Sequence, residues 1–422
     1  MQENNDRAAT SQSRGRPGRR GRTRNLASRA AVLRLVSVGA GALAVGAGVS
    51  VPALAATPPT PSAVAVPPAV TSASSASSAT FNIFNPPSQT GAPAGSPEGL
   101  TGVYAASPTD VWAVGGATGD PFEHWNGTSW TGQGLPAGLC TTAAGALVGN
   151  QCGVSFITGT SADNITADGT GIIDTGTSDV DESVAYHFNG TSWSQMTIPA
   201  GVTLGPLAAF SATDLWSVNN NGDAEQFNGS TWTTTKLPIS TTLPDLDMSS
   251  ISGSSSSDIW AAGTASTEGV ERRKTAPVLE HFNGTSWTNV TVPVNGGVTS
   301  VVAISPTDAF ALDGGSLIQW NGSTWSVVNA TTQTGAAVSG AALAALSPTD
   351  VWLAGVSTLD NFNGTTWTSV PVPSTAALTP AGQMLAEPDA ATAVGPGTVW
   401  FVGEAITATG GTLPYAMGTS NG

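Results

Sequence analysis

The side chains that could do chemistry are few, and most stand in register with one another. His124, His187 and His281 each precede an Asn-Gly pair by two residues, and the same slot elsewhere holds Gln226, Gln319 and Asn361. Metal ligation or general-base work at this slot would need imidazole, which Gln and Asn cannot replace. The slot therefore reads as a structural polar position that bonds backbone near the turn. Asp110, Asp214, Asp258, Asp308 and Asp350 recur in the same way after Ser-Pro-Thr-like triplets, and read as turn caps. No catalytic residue and no metal site emerge from either set.

The irregular positions are the better candidates for binding. One interruption carries Asp174, Asp179, Asp181 and Glu182, and another carries Glu268, Glu271, Arg272, Arg273 and Lys274. Only Lys236, Arg272, Arg273 and Lys274 are basic beyond residue 34, against 26 acids, a net charge of −22 for the body of the chain. Three cations in one loop on such a body suggest a recognition element for an anionic partner. The acidic interruption has the oxygen donors for Ca²⁺ but lacks a recognised ligand spacing, so no cofactor is expected and calcium is the sole candidate. Cys140 and Cys152 are the only cysteines; an even pair in an exported chain predicts a disulfide.

The remaining nine basic residues lie in the first 34 positions and are followed by an uncharged apolar run from Leu35 to Leu54 and by small residues. That order predicts a secretory signal over 1–56, with membrane contact only if the segment is kept as an anchor. Residues 57–79 are a Pro/Ala/Ser linker without periodicity. A body with four cations is a poor match for nucleic acid. A secreted or cell-surface monomer is expected.

Around these residues the chain repeats. Asn-Gly-(Ser/Thr)-(Ser/Thr)-Trp occurs six times, with Trp130, Trp193, Trp232, Trp287, Trp325 and Trp367 and an aromatic residue before every Asn. Upstream of each lies a tetrad such as Ser107-Pro108-Thr109-Asp110, then an apolar residue and usually an aromatic: Trp112, Trp216, Trp260, Phe310 or Trp352. A degenerate tetrad, Ser161 to Asn164, leads to Thr166, and Gly395 to Thr398 leads to Trp400. Pro presets the second turn position and Asn-Gly favours a tight hairpin. Each unit thus reads as four short antiparallel strands, the pattern of propeller blades.

A single small sheet with apolar residues on both faces is unstable until neighbours cover it. Two repeat aromatics per unit suit blade-to-blade packing. The last unit ends before any fourth strand, and Thr80 to Pro87 supplies a matching segment. The fold expected over 80–422 is therefore all-β: a seven-bladed β-propeller of four-stranded antiparallel blades, the last closed by the N-terminal strand. Turns one–two and three–four emerge on one face of such a ring, and the longer connections, with both interruptions, on the other.

The Ser-Pro-Thr-Asp-Val-Trp-Ala-Val-Gly and Asn-Gly-Thr-Ser-Trp elements resemble secreted actinobacterial repeat proteins of the kelch or galactose-oxidase propeller type, over Thr80 to Gly422. The resemblance implies the architecture and carries no catalytic residue. A copper site of the galactose-oxidase kind needs paired Tyr and His with a Cys crosslink; Tyr104, Tyr186 and Tyr415 do not assemble that pattern, and the sialidase Asp box is absent. Three functions are weighed on these grounds. The first is an extracellular non-catalytic binding or scaffold module that recognises glycan, cell-wall polymer or protein through its long-loop face. The second is a secreted glycan hydrolase or lyase with acidic residues at the central channel. The third is a structural surface or adhesion component.

Overall fold

The computed structural model describes residues 80–84, 86, 99–115, 121–135, 141–142, 145–146, 152–174, 179–267, 274–313, 316–328, 342–355, 358–371, 385–406 and 412–419. Every described residue belongs to one compact unit. The signal and linker expected over 1–79 lie outside the described residues.

The repeat motifs become strand ends. In blade one the tetrad links Leu100–Ser107 to Asp110–Gly115, and the Asn-Gly loop links Phe122–Trp125 to Trp130–Gln133. Seven four-stranded antiparallel sheets follow this order. Their first strands, Leu100–Ser107, Cys152–Ser161, Leu207–Ser211, Asp245–Ser255, Val298–Ser305, Ala342–Ser347 and Leu385–Gly395, each pack against the next, and the seventh packs against the first. The blades therefore close into a ring around an axis lined by these strands. No helix among the described residues is long and apolar enough to cross a membrane.

Closure uses the segment predicted for it. Phe81–Phe84 forms the outer strand of blade seven, antiparallel to Thr412–Thr419 with Phe81 opposite Thr419 and Phe84 opposite Ala416. Phe81 is 7 % exposed and meets Trp352 of blade six edge-on at 5.3 Å. It thus occupies the place that a fourth-strand Trp holds in the other blades.

That place is set by strand alternation. The second-strand aromatic faces the following blade, and the fourth-strand Trp faces the preceding one. Trp193 meets Trp112 at 5.5 Å, Trp130 meets Trp400 at 5.7 Å, Trp287 meets Trp216 at 5.8 Å and Trp325 meets Trp260 at 5.1 Å. Each contact hides two large rings at a blade seam; burying one is worth about 4–6 kcal/mol gross. Trp232 is the informative exception. Its counterpart in blade two is Thr166, and Trp232 is only half-buried. The apolar clusters spanning the other seams do not cross from blade two to blade three.

Two expectations about local geometry are corrected. Asn-Gly does not form a two-residue hairpin: Trp125 pairs with Trp130 around a four-residue loop. Asn126 Oδ1 accepts from the N–H groups of Thr128 and Ser129 at 2.9 and 3.0 Å, so the side chain closes the turn. Gly127 has φ +90° and lies so close to Thr109 that a Cβ would stand 2.9 Å from it. The two motifs thus pack on each other, which is why both recur together. The acidic interruption of blade two is also largely strand: Asn164–Asp174 and Asp179–Phe188 form one extended hairpin with Asp174 opposite Asp179.

Candidate functional site

On the short-turn face the repeated polar residues are consumed by the fold. His124 Nε2 lies 2.8 Å from Asp110 Oδ1, and His281 Nε2 lies 2.7 Å from Asp258 Oδ1. His187 makes the same contact with Asn164, and Gln226, Gln319 and Asn361 reach Asp214, Asp308 and Asp350 at 3.4 Å. The slot therefore bonds the tetrad's side chain across two strands, a correction to the backbone role expected of it. The Asp likewise ties strands together, whereas the tetrad Ser caps the turn: Ser107 Oγ accepts from the Thr109 N–H at 3.2 Å. His124 and His281 also lie flat under Trp112 and Trp260, at 4.2 and 4.1 Å between ring centroids. Burial favours neutral His187 and holds its pKa below the ordinary value. Burial alone would raise Asp258, but hydrogen bonds from His281 and Ser254 outweigh it and hold the carboxyl below its usual range.

A second polar series escaped the sequence reading. One residue before the slot stand Glu123, Glu225, Glu280 and Asp360, each 2 % exposed or less. Alternation turns them into the seam with the preceding blade. Three receive a hydrogen bond from the residue opposite on the outer strand: Thr234 Oγ donates to Glu225 Oε2 at 2.7 Å, Asn289 Nδ2 donates to Glu280 Oε1 at 2.7 Å, and Ser369 Oγ donates to Asp360 Oδ1. Burial raises all three carboxyls, and Glu280 reaches about 7. The recurrence of an acid at one fixed distance from Asn-Gly was visible in four of the six repeats. These acids belong to third strands between blades, away from the first strands that line the axis.

The long-connection face holds what differs between blades. Asp181 is exposed and paired with Ile172, and Glu182 pairs with Gly171; Asp174 and Asp179 face each other in register. Among the described residues no three or more His, Cys, Asp or Glu gather as a metal site would require. Glu268, Glu271, Arg272 and Arg273 lie outside the described residues. Lys274 is exposed, and its carbonyl accepts from the Thr267 N–H at 3.1 Å where that loop closes. Cys152 is 3 % exposed and disulfide-bonded, while Cys140 lies outside the described residues.

Two adjoining clefts open on this face where blade three meets blade four. One, about 290 Å³, is walled by Ile239, Ala276, Pro277, Val290, Val292 and Val294, with Ser240, Thr241, Asn289 and Thr291 as its polar groups. The other, about 230 Å³, shares Ile239 and Thr241 and adds Leu237, Leu243, Leu246 and Lys236. Lys236 Nζ is held 2.7 Å from Asp223 and also donates to the Asn221 carbonyl at 3.0 Å. Neither cleft was foreseen, because the four–one connection of blade three that forms their shared wall belongs to no motif.

No protein-family model and no curated protein matches the chain. Solved structures do resemble it. YCF48 bound to a D1 peptide has a TM-score of 0.51 at 13 % identity, over 81 % of this chain and 95 % of that one. YCF48 from Cyanidioschyzon merolae has a TM-score of 0.54 at 13 % identity, over 81 % and 99 %. At such identity the likeness establishes the fold alone: this chain is similar to those propellers in architecture.

Proposed function

We propose that this chain is an exported, non-catalytic binding propeller that holds a peptide or protein segment on its long-connection face. The observation that carries the reading is the pair of adjoining concave clefts between blades three and four, where aliphatic side chains alternate with polar groups such as Ser240, Thr241, Asn289 and Lys236. A peptide is favoured over a glycan by the fate of the aromatic residues. All 13 Trp, 3 Tyr and 11 Phe are among the described residues, and none is exposed. Sugar recognition by stacking needs an open ring face, and here the repeat rings, half-buried Trp232 apart, are committed to seams between blades. The peptide-bound propeller of the same fold supports the same choice. Export rests on the basic leader and the apolar run after it, and the disulfide at Cys152 accords with an oxidising compartment.

The test is a parallel screen of the full chain on arrayed peptides and on insoluble cell-wall polysaccharides, with product analysis on the latter. Retention by peptides with no polysaccharide turnover is expected. Retention confined to polysaccharide, or release of sugar, would overturn the reading.

A further inference from the structure

One buried acid is wired differently from its counterparts. Glu225 and Asp360 end their hydrogen-bond chains at an outer-strand hydroxyl, whereas Glu280 is met by Asn289, whose own oxygen accepts from Ser240 Oγ at 2.9 Å. Ser240 belongs to the connection leaving blade three, so the chain crosses the seam. Its inner end, Glu280, is wholly buried, and its outer end, Ser240, is exposed on the wall of the larger cleft. Glu280 Oε2 has no hydrogen-bond partner.

Every link in this chain can run in either direction, and the charge on Glu280 selects which. An ionised carboxylate only accepts, so Asn289 turns its NH₂ to Glu280 and its oxygen to Ser240. Ser240 then commits its single hydrogen to Asn289, and the cleft meets only lone pairs. A protonated carboxyl has one hydrogen to place. On Oε2 that hydrogen would be a buried donor without an acceptor. On Oε1 it can be donated to Asn289 once the amide turns over and brings its oxygen inward. Nδ2 then donates to Ser240 Oγ, and the Ser240 hydrogen is released toward the cleft.

The surroundings leave this proton to Glu280. The seam is packed with apolar side chains, among them Trp216, Val218 and Ala224 of blade three and Met248, Ile251 and Val278 of blade four. Alternation turns Asp223, Glu225 and Lys236 of blade three toward blade two. In blade four, Asp245 and Asp247 alternate away from Leu246, and His281 turns toward blade five under Trp260. Asp214 shares the seam-facing side of blade three only at its turn end, where Gln226 donates to it.

We propose that the Ser240–Asn289–Glu280 chain is a proton-driven polarity switch, in which protonation of Glu280 turns the Asn289 amide over and converts Ser240 on the cleft wall from hydrogen-bond acceptor to donor. Burial carries the Glu280 carboxyl up to about 7, so the wall accepts above that pH and donates below it. The switch is a property of the free protein. As a control on what the cleft holds, it rests on the binding reading above.

The experiment places the hydrogens directly, by neutron diffraction from the perdeuterated intact protein at about pD 5 and about pD 9, either side of the Glu280 transition. At the higher value the Asn289 amide deuterons should point at Glu280 and the Ser240 deuteron at Asn289. At the lower value a deuteron should stand on Glu280 Oε1, with the Ser240 deuteron turned into the cleft. The solution counterpart is the scalar coupling carried through the hydrogen bond from Asn289 Nδ2 to the Glu280 carboxyl carbon. It should be present at high pH and lost with a midpoint of about 7. In Glu280→Gln, which carries no titrating proton, that pH dependence should vanish. A charge that acts only through its field would shift the Asn289 resonances and leave the coupling in place. One amide orientation at both pD values, or a deuteron on Oε2, overturns the proposal. A ligand screen that retains polysaccharide alone would remove the peptide reading and leave the switch standing.

Discussion

Replacing Glu280 by Gln should stabilise the protein, and only above a defined pH. Glu280 is 0 % exposed, and burial outweighs the bond from Asn289, so its carboxyl rises from an ordinary value of 4.5 to about 7. Where the folded carboxyl holds its proton more tightly than the unfolded one, the added stability is full below about 4.5 and is lost as pH climbs to about 7. The difference of about 2.5 pH units corresponds to about 3 kcal/mol once both states are ionised. Glu280→Gln keeps the shape and the Asn289 contact and removes the charge. The variant should therefore match the wild type near pH 4.5 and exceed it by about 3 kcal/mol near pH 8. Urea unfolding of both proteins across this range measures it, and taking the difference cancels the other carboxyls. A difference that stays constant with pH, or a variant less stable at pH 8, would refute the claim that desolvation governs this residue.

Four further outcomes follow from the packing. Phe81→Ala should cost about 3–5 kcal/mol in thermal or urea unfolding, because it empties the Trp352 contact that closes the ring. Gly364→Ala should cost about 1–2 kcal/mol: φ is +89°, and the new Cβ would lie 2.5 Å from Thr349 Cγ2. Trp193→Ala should cost more than Trp232→Ala by about 1–2 kcal/mol, since Trp193 packs on Trp112 whereas Trp232 faces the Thr166 position; equal losses in a denaturation series would contradict the seam assignment. Burial raises Tyr104, Tyr186 and Tyr415 above the ordinary phenol range. Tyrosinate absorbance should therefore be missing at about pH 11, where free phenols ionise, and appear only with alkaline unfolding.

Much of the architecture was legible in the chain because it is local. A tetrad turn and an Asn-Gly turn fix four strands per unit, and the alternation of Trp with polar residues says which face each strand buries. Even the closing strand could be assigned, since the last unit lacks a fourth strand and Thr80 to Pro87 supplies one. Contacts between turns were not legible: the packing of Gly127 on Thr109 and the bond from His124 to Asp110 join residues that only the sheet register brings together.

What the sequence determined by itself was the repeat, and with it the number of blades and the strand position of every repeat indole, because periodicity is a property of the chain. Tertiary structure alone decided that blade three's outgoing connection would meet blade four as a cleft, and that Ser240 would reach Asn289 across 49 residues while Asn289 reaches Glu280 across 9. Those residues share no motif. Their relation comes from the rotation of one blade against the next, which no one-dimensional pattern records.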